Sequence, residues 1–185
     1  MVNYKLVNGN KVNTYINQSL ALPSVAKMRM SSEGKRVLTL VEGEVLKAYR
    51  CSANVWTIGV GITTNLSVIG INKKPYSGLT ITRAQSQILL DECLKTYENS
   101  VKSLVRVPLT QSEFDALVSI CFNIGPGNFA KSKLLGYVNG NNKTVNTVSL
   151  GFNGWLMAGG KRSNGLVRRR AVEIDMFFGE FTKVW

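Results

Sequence analysis

Proton-transfer chemistry in this chain is limited to a few residue types. The 185 residues include eleven Asp and Glu side chains, three cysteines and no histidine. The lack of histidine excludes Ser-His-Asp and Cys-His nucleophile systems and removes the commonest zinc ligand. The three cysteines are an odd number without metal-ligand spacing, which predicts free thiols and no metal site. Candidate general acids are therefore sought among the carboxylates.

Glu42 differs from the other acids in its position. It is expected at the C-terminal end of a short helix, directly before Gly43. The helix macrodipole disfavours an anion there and so favours a protonated carboxyl that could serve as a general acid. Position alone also fits an ordinary exposed glutamate. The other acids need less explanation: Glu113 is predicted to cap a helix, and three fit a solvated helix face, namely Asp91, Glu92 and Glu98.

Glu42 also opens an ordered series of motifs. The first are Glu42-Gly43, Leu46-Lys47-Ala48-Tyr49-Arg50 and Trp56-Thr57-Ile58-Gly59-Val60-Gly61. The later ones are Ser103-Leu104-Val105-Arg106-Val107-Pro108-Leu109, Phe114-Asp115-Ala116-Leu117, Phe122-Asn123-Ile124-Gly125, Trp155, Ala158-Gly159-Gly160-Lys161 and Gly165-Leu166-Val167-Arg168-Arg169-Arg170. This order closely resembles the phage lysozymes of glycoside hydrolase family 24 and is most similar to those of lambdoid phages. The resemblance covers residues 28–178 and leaves residues 1–28 outside.

The resemblance assigns roles to individual residues. It makes Glu42 the catalytic acid, and it makes Thr57 a residue that helps to hold the attacking water. It also implies that Asn123 and Gly125 end a helix facing the cleft. An arginine of the last helix, taken as Arg169, would lie beside the catalytic glutamate. By default, the run of arginines at 168–170 would be a solvated helix face.

Cys51 departs from the family pattern, because most members carry an aspartate nine residues after the catalytic glutamate. Some members have cysteine there, so this departure is compatible with activity. A thiol acts only as thiolate, and an ordinary cysteine is mostly neutral at pH 7. The thiolate would need nearby cations, such as Arg50 or the terminal arginines. It could activate water or attack the sugar, or Cys51 could be a tolerated replacement that leaves catalysis to Glu42 and ordered water.

The resemblance implies an endolysin that hydrolyses the β-1,4 bond between N-acetylmuramic acid and N-acetylglucosamine and lyses the host cell. One alternative is a lytic transglycosylase that uses Glu42 alone, because the substrate's own hydroxyl then attacks. Another is a non-catalytic, cationic envelope-binding protein. Thr57 and its flanking motif favour hydrolysis. No cofactor is expected, and a monomer is predicted.

The charge of the chain indicates a polyanionic partner. Lys and Arg number 23 against 11 acids, which gives a net charge of +12. Residues 161–170 carry five cations and no acid, and residues 1–28 carry three lysines and no acid. Peptidoglycan is the expected partner, and the anionic lipopolysaccharide of the outer membrane is a further candidate. Nucleic acid is not expected, because basic and aromatic residues are not interleaved as in single-strand binders.

Local signals place these residues on elements. Ser31 and Ser32 can cap the helix before Glu42, and residues 46–61 read as strands and turns. Capping boxes at residues 82–85 and 110–113 open two helices. Further helices are predicted at residues 132–139, 145–157 and 166–178. Cys93 and Cys121 are predicted on apolar faces in the helical part of the chain.

The predicted fold is therefore α+β and lysozyme-like, with a small β-containing lobe, a larger helical lobe and the active site in a cleft between them. Residues 1–28 are interpreted as a basic N-terminal extension and residues 29–185 as the catalytic domain. No secretory signal or membrane-spanning run of about 18 apolar residues is recognised. The protein is expected in the host cytoplasm until a holin-like lesion releases it to the periplasmic cell wall.

Overall fold

A computed structural model describes residues 4–7, 10–13 and 24–181, and the structural statements below refer to these residues. The strands are β1 Tyr4–Val7, β2 Asn10–Asn13, β3 Val45–Arg50, β4 Trp56–Gly59, β5 Met157–Ala158 and β6 Lys161–Arg162. The α-helices are α1 Ser32–Glu42, α2 Arg83–Leu104, α3 Gln111–Ile124, α4 Pro126–Ala130, α5 Lys133–Asn139, α6 Val145–Asn153 and α7 Asn164–Phe177. Short 3-10 turns cover Val25–Lys27 and Ser67–Ile69. The predicted α+β class is confirmed.

The strands form three antiparallel pairs, each between neighbours in sequence. In the first pair Tyr4 lies opposite Asn13 and Val7 opposite Asn10. In the second pair Arg50 lies opposite Trp56, and an irregularity interrupts the register further along β3. Backbone of the first pair belongs to the segment predicted as an extension, and the rest of residues 1–23 lies outside the described residues.

The chain divides into two compact units. The small unit comprises residues 36–96, and the large unit comprises the remaining described residues. The small unit contains β3 and β4, as the sequence indicated, and the large unit is mainly helical. The cleft between two lobes stays a prediction.

The core of the small unit lies under the β3–β4 hairpin. Its buried residues are Ala48, Ile58, Ile62, Leu66, Leu79, Ile81 and Leu89. The loop after β4 comes back to contact β3. The Ala48 amide donates to the Leu79 carbonyl at 2.8 Å, and the Ile81 amide donates to the Leu46 carbonyl at 2.9 Å. Burial of these apolar side chains fixes the hairpin and so positions the turn at its tip.

The core of the large unit is built around α3. Residues 113–121 of this helix are all buried, and α3 packs against α4 and α7. The predicted capping box of Thr110 and Glu113 opens the helix. The helix predicted for residues 145–157 is shorter than expected and ends at Asn153, before Gly154. Met157 and Ala158 form β5 instead.

The first turn of α1 is capped by Ser31, as predicted. The Gly34 amide donates to the Ser31 hydroxyl at 2.9 Å. The Ser31 amide and hydroxyl both donate to the carboxylate of Asp115 on α3. Gln111 also donates to this carboxylate, at 2.8 Å. Burial nevertheless raises the pKa of Asp115, because it outweighs these hydrogen bonds.

The prediction that Glu98 lies on a solvated face is wrong. Glu98 is buried, whereas Asp91 and Glu92 are exposed. Its carboxylate accepts from the Arg29 guanidinium at 2.7 Å and from the Met30 amide at 2.9 Å. These donors belong to a segment almost 70 residues earlier, so the helical periodicity around Glu98 gives no sign of them.

Candidate active site

Glu42 is the last residue of α1, at the position that the sequence predicted. The helix ends there because Gly43 adopts a left-handed conformation with φ of 80°, which glycine tolerates without a steric penalty. Val37 and Leu38 bury the inner face of the helix, while Glu42 is only half-buried. The carboxyl therefore sits at a fixed helix end and retains access to solvent.

Cys51 lies in the turn between β3 and β4. Its amide donates to the Val55 carbonyl at 3.0 Å, and the Asn54 amide donates to the Cys51 carbonyl at 2.8 Å. Asn54 takes a left-handed φ of 58°, a conformation that asparagine accepts more readily than most residues. The turn is closed by its own backbone and holds a half-buried thiol at its start.

The turn lowers the pKa of Cys51 below its ordinary value. Hydrogen bonding from the Val55 backbone is the largest cause, followed by the Thr57 side chain and the Ala53 backbone. These causes are hydrogen bonds of the turn, and no cation is among them, so the predicted contribution of cations stays a prediction. Arg50 instead donates to the Asn54 carbonyl at 2.6 Å and lies over the Trp56 ring, 4.8 Å from its centroid.

Thr57 stands on β4 and is buried. Its hydroxyl donates to the Val55 carbonyl at 3.0 Å, and the thiol of Cys51 is a second acceptor for the same proton. Cys51 and Thr57 therefore belong to one hydrogen-bonded group. Glu42 lies in the same compact unit as this group.

Glu44 is a residue that the sequence analysis did not assign. Burial works against its ionisation, but hydrogen bonds from Ser86, Arg83 and Gln87 outweigh this effect and lower its pKa. The Arg83 Nε lies 2.9 Å from its carboxylate. Glu44 therefore remains an anion and ties the chain just after Glu42 to the first turn of α2. Arg83 and Gln87 lie about 40 residues away in sequence, which hides this contact from pattern analysis.

The other predicted site residues lie in the large unit. Arg169 and Arg170 are buried, which contradicts the solvated face expected for residues 168–170, and only Arg168 is exposed. The reason is Glu173, whose two carboxylate oxygens lie 3.0 Å from Arg169 Nε and 2.9 Å from Arg170 Nε. An opposite charge one helical turn away allows the guanidinium groups to be buried.

Asn123 joins the same network from α3. Its side-chain oxygen accepts from Arg170 at 2.6 Å, and Arg169 also donates to the Ser119 carbonyl at 3.3 Å. Gly125 ends α3 with φ of 84° and leads directly into α4. The structure thus brings Asn123 and Arg169 into one network, but it links them through Arg170 and Glu173.

The three thiols are free. Cys93 packs against the core of the small unit, the unit of Cys51, so its predicted place in the helical lobe is wrong. Burial raises the pKa of Cys93, and it raises that of Cys121 to about 12. Within residues 24–181 and the first strand pair, no helix is long and apolar enough to cross a membrane. The same residues hold no group of three or more acids or thiols suited to a metal ion.

Comparison with known proteins relates the chain to one family. The phage lysozyme family model matches residues 39–173. The endolysin of Salmonella phage P22 is 42% identical over 150 residues, which are 81% of this chain and 98% of that protein. The crystal structure of a P22 lysozyme mutant matches the fold with a TM-score of 0.73 over 81% of this chain and 98% of that one.

Two further solved structures agree. The endolysin of Escherichia coli O157:H7 phage FAHEc1 has a TM-score of 0.73 at 32% identity and covers 82% of this chain and 94% of its own. The muramidase domain of SpmX from Asticaccaulis excentricus has a TM-score of 0.70 at 32% identity and covers 82% of this chain and 98% of its own. The chain belongs to the phage lysozyme family, the glycoside hydrolases with which phage endolysins degrade bacterial peptidoglycan.

Proposed function

We propose that this endolysin hydrolyses the β-1,4 bond between N-acetylmuramic acid and N-acetylglucosamine, with Glu42 as the general acid. Glu42 supports this role because it is a half-buried carboxyl held at the end of α1, in the same compact unit as Cys51 and Thr57. Its proton would pass to the glycosidic oxygen as the bond to the anomeric carbon breaks. The similarity to a solved muramidase domain is consistent with this choice of bond.

The observation that carries the mechanism is the hydrogen-bonded turn that holds Cys51 beside Thr57 and lowers the pKa of the thiol. A hydrogen-bonded thiolate can take the place of the second carboxylate that inverting glycosidases use as a base. In this scheme a water attacks the anomeric carbon and loses its proton to Cys51. Thr57 would orient that water through the oxygen that already bonds the Val55 carbonyl. Direct attack of the thiolate on the sugar would instead give a covalent intermediate and retain the configuration.

We assign glycan contact to Asn123 and Gly125. Asn123 is exposed and Gly125 is half-buried, so both can reach a ligand in solvent. Arg169 is buried against Glu173 and would act indirectly, by holding the network that positions Asn123.

A transglycosylase is the second candidate, because a single acid such as Glu42 suffices and no second carboxylate is present at position 51. Mass analysis of the products from purified peptidoglycan separates the candidates. Hydrolysis gives reducing-end sugars, whereas transglycosylation gives anhydro-muramyl ends. Intact glycan from a well-folded protein would leave envelope binding as the function. Glu42→Gln should give no cleavage products in this assay. Its matched control is the exposed-site variant Glu92→Gln, which should give the wild-type products.

The expected site of action follows from this activity. We propose that the protein is held in the host cytoplasm, that it acts as a monomer on the periplasmic wall, and that a membrane lesion releases it. The acid-poor, cationic surface would favour an anionic envelope. In cells, lysis is expected to require a separate membrane-permeabilising factor. On isolated cell walls, cleavage is expected without that factor.

A further inference from the structure

A groove in the large unit lies apart from the residues proposed for catalysis. Its volume is about 530 Å³, within the range typical of small-molecule sites. Residues from the end of α6, from the loop that follows it, from β6 and from α7 line it, namely Asn153, Leu156, Arg162, Val167, Ala171 and Ile174. Four of the six side chains are apolar, and Arg162 is the one cation among them. Such a lining suits an amphiphilic anion.

Five of the six lining residues lie in a stretch without negative charge, and the sixth, Ile174, stands between Glu173 and Asp175. No Asp or Glu occurs between Asp115 and Glu173, whereas this stretch holds eight Lys and Arg residues. A 57-residue stretch without acids leaves no like charge within it to repel an anionic ligand. The groove therefore has charge complementarity to an anion as well as an apolar lining.

The β5–β6 hairpin extends the groove with exposed residues. Met157 is 59% exposed and pairs with Arg162, and the neighbouring Lys161 is also exposed. The tip residues Gly159 and Gly160 both have positive φ, so the two strands turn tightly and keep these side chains together. The hairpin thus presents an exposed apolar side chain beside two cations, and apolar and basic side chains also occur together on elements that bind at membrane interfaces.

We propose that this groove and hairpin bind an anionic phospholipid at a membrane surface. Arg162 and Lys161 bind the head-group phosphate, and Leu156, Val167 and Ile174 contact the upper part of an acyl chain. A free phosphate or a glycan strand satisfies the cations but leaves the apolar lining exposed. Lipid satisfies both parts, because each basic residue at an anionic surface adds attraction and each buried methylene adds hydrophobic stabilisation.

This binding is independent of the proposed hydrolysis. None of the groove residues is among those assigned to glycan cleavage or glycan contact, and vesicles contain no peptidoglycan. The inactive variant Glu42→Gln should therefore bind vesicles as the wild type does. A failure of vesicle binding would therefore count only against the lipid proposal, and a failure of glycan cleavage would count only against the proposed function.

The test is co-sedimentation of the full-length protein with vesicles of phosphatidylcholine, with and without phosphatidylglycerol. The key variant is Arg162→Glu, and its matched control is Lys131→Glu, an exposed cation of the same acid-free stretch that does not line the groove. Both variants change the net charge equally. We expect the wild type to bind only vesicles that contain phosphatidylglycerol. In the control, general electrostatics should lower vesicle affinity by about fivefold for each unit of charge changed. In Arg162→Glu, the loss of vesicle affinity should be at least tenfold greater than in the control.

A second variant tests the apolar part of the groove without changing charge. Ala171 is exposed and lines the groove, so Ala171→Phe should fill the space for an acyl chain and weaken vesicle binding severalfold. Circular dichroism checks that both variants are folded. Equal losses in Arg162→Glu and Lys131→Glu, or full binding by a folded Ala171→Phe, would overturn the proposal and leave only non-specific charge attraction. Binding of soluble peptidoglycan fragments by a protein that does not bind vesicles would also overturn it.

Discussion

The carboxylate of Asp115 occupies the space that a side chain at position 34 would need. A Cβ added to Gly34 would lie 2.6 Å from both Cγ and Oδ2 of Asp115. The same carboxylate accepts the Ser31 amide at 2.9 Å. The helix that ends on Glu42 therefore begins against a buried acid that leaves room only for glycine.

Gly34→Ala should destabilise the protein by about 1–3 kcal/mol, the usual cost of overpacking. Alanine in place of glycine in a helix normally stabilises by about 1 kcal/mol, so the sign is the informative result. Gly136→Ala on α5 is the control, because a Cβ there meets nothing within 4 Å. Urea denaturation measures both variants. Stabilisation by Gly34→Ala would contradict the close contact.

Asp115 should make stability depend on pH. Burial raises its folded-state pKa above the unfolded value near 3.8. Folding thus favours the protonated carboxyl. Its contribution to the free energy of unfolding is fully present below the unfolded pKa and is lost as the pH rises through the folded pKa. The free energy of unfolding of the wild type, relative to Asp115→Asn, should fall as the pH rises above the ordinary pKa of 3.8. A difference that stays constant or grows with pH would refute this.

Glu42→Gln should lose at least about 10²-fold in kcat, because the amide keeps the shape of the side chain but has no acidic proton to donate. The circular dichroism spectrum and the melting temperature should stay close to wild type. Glu92→Gln, an exposed change of the same type, should keep full activity. Near-normal turnover by folded Glu42→Gln would remove the basis of the proposed mechanism.

Cys51 can be tested through the pH dependence of turnover. If its thiolate is the base, activity rises with pH at a value below the ordinary thiol pKa of 9.0, because hydrogen bonds from the turn lower it. Cys51→Asp should stay active and move this rise to acidic pH, since a carboxylate titrates near about 4. Cys51→Ser should lose most activity. Wild-type turnover by Cys51→Ser at every pH would show that Glu42 and water suffice.

Glu173 forms ion pairs with two buried arginines and also accepts the Ser119 hydroxyl at 2.7 Å. Glu173→Gln should destabilise the protein by about 3–5 kcal/mol, because it removes the negative charge that both buried guanidinium groups contact. Glu92→Gln breaks only an exposed pair with Lys95 and should cost less than about 1 kcal/mol. Chemical denaturation should separate the two variants clearly, and equal small effects would argue against a stabilising role for Glu173.

Local signals in the sequence were sufficient for several elements. The Thr110 and Glu113 capping box lies within four residues, so it could be recognised directly, and the structure has both of its hydrogen bonds. The position of Glu42 followed in the same way from the Gly43 helix stop. The family resemblance to phage lysozymes is also confirmed, whereas the individual site roles stay predictions.

The features that could not be predicted depend on partners distant in sequence or on turn geometry. Glu98 looked like a surface residue because its donors, Arg29 and Met30, come from before α1. The acidity of Cys51 depends on how the turn directs the Val55 backbone, which composition does not reveal. The burial of Arg169 is a different case, because Glu173 four residues later was a visible signal.

The anchoring of Ser31 by Asp115 also has a consequence for the order of folding. The two residues are separated by 84 positions, so at translation rates of roughly 5–20 residues per second Asp115 is synthesised roughly 4–17 s after Ser31. Until then the first turn of α1 has only its own serine cap. A nascent chain therefore carries Glu42 on a helix whose beginning is not yet anchored, and a chain interrupted before α3 would lack this anchor permanently. The anchoring of α1 thus waits for the helical core that is translated later.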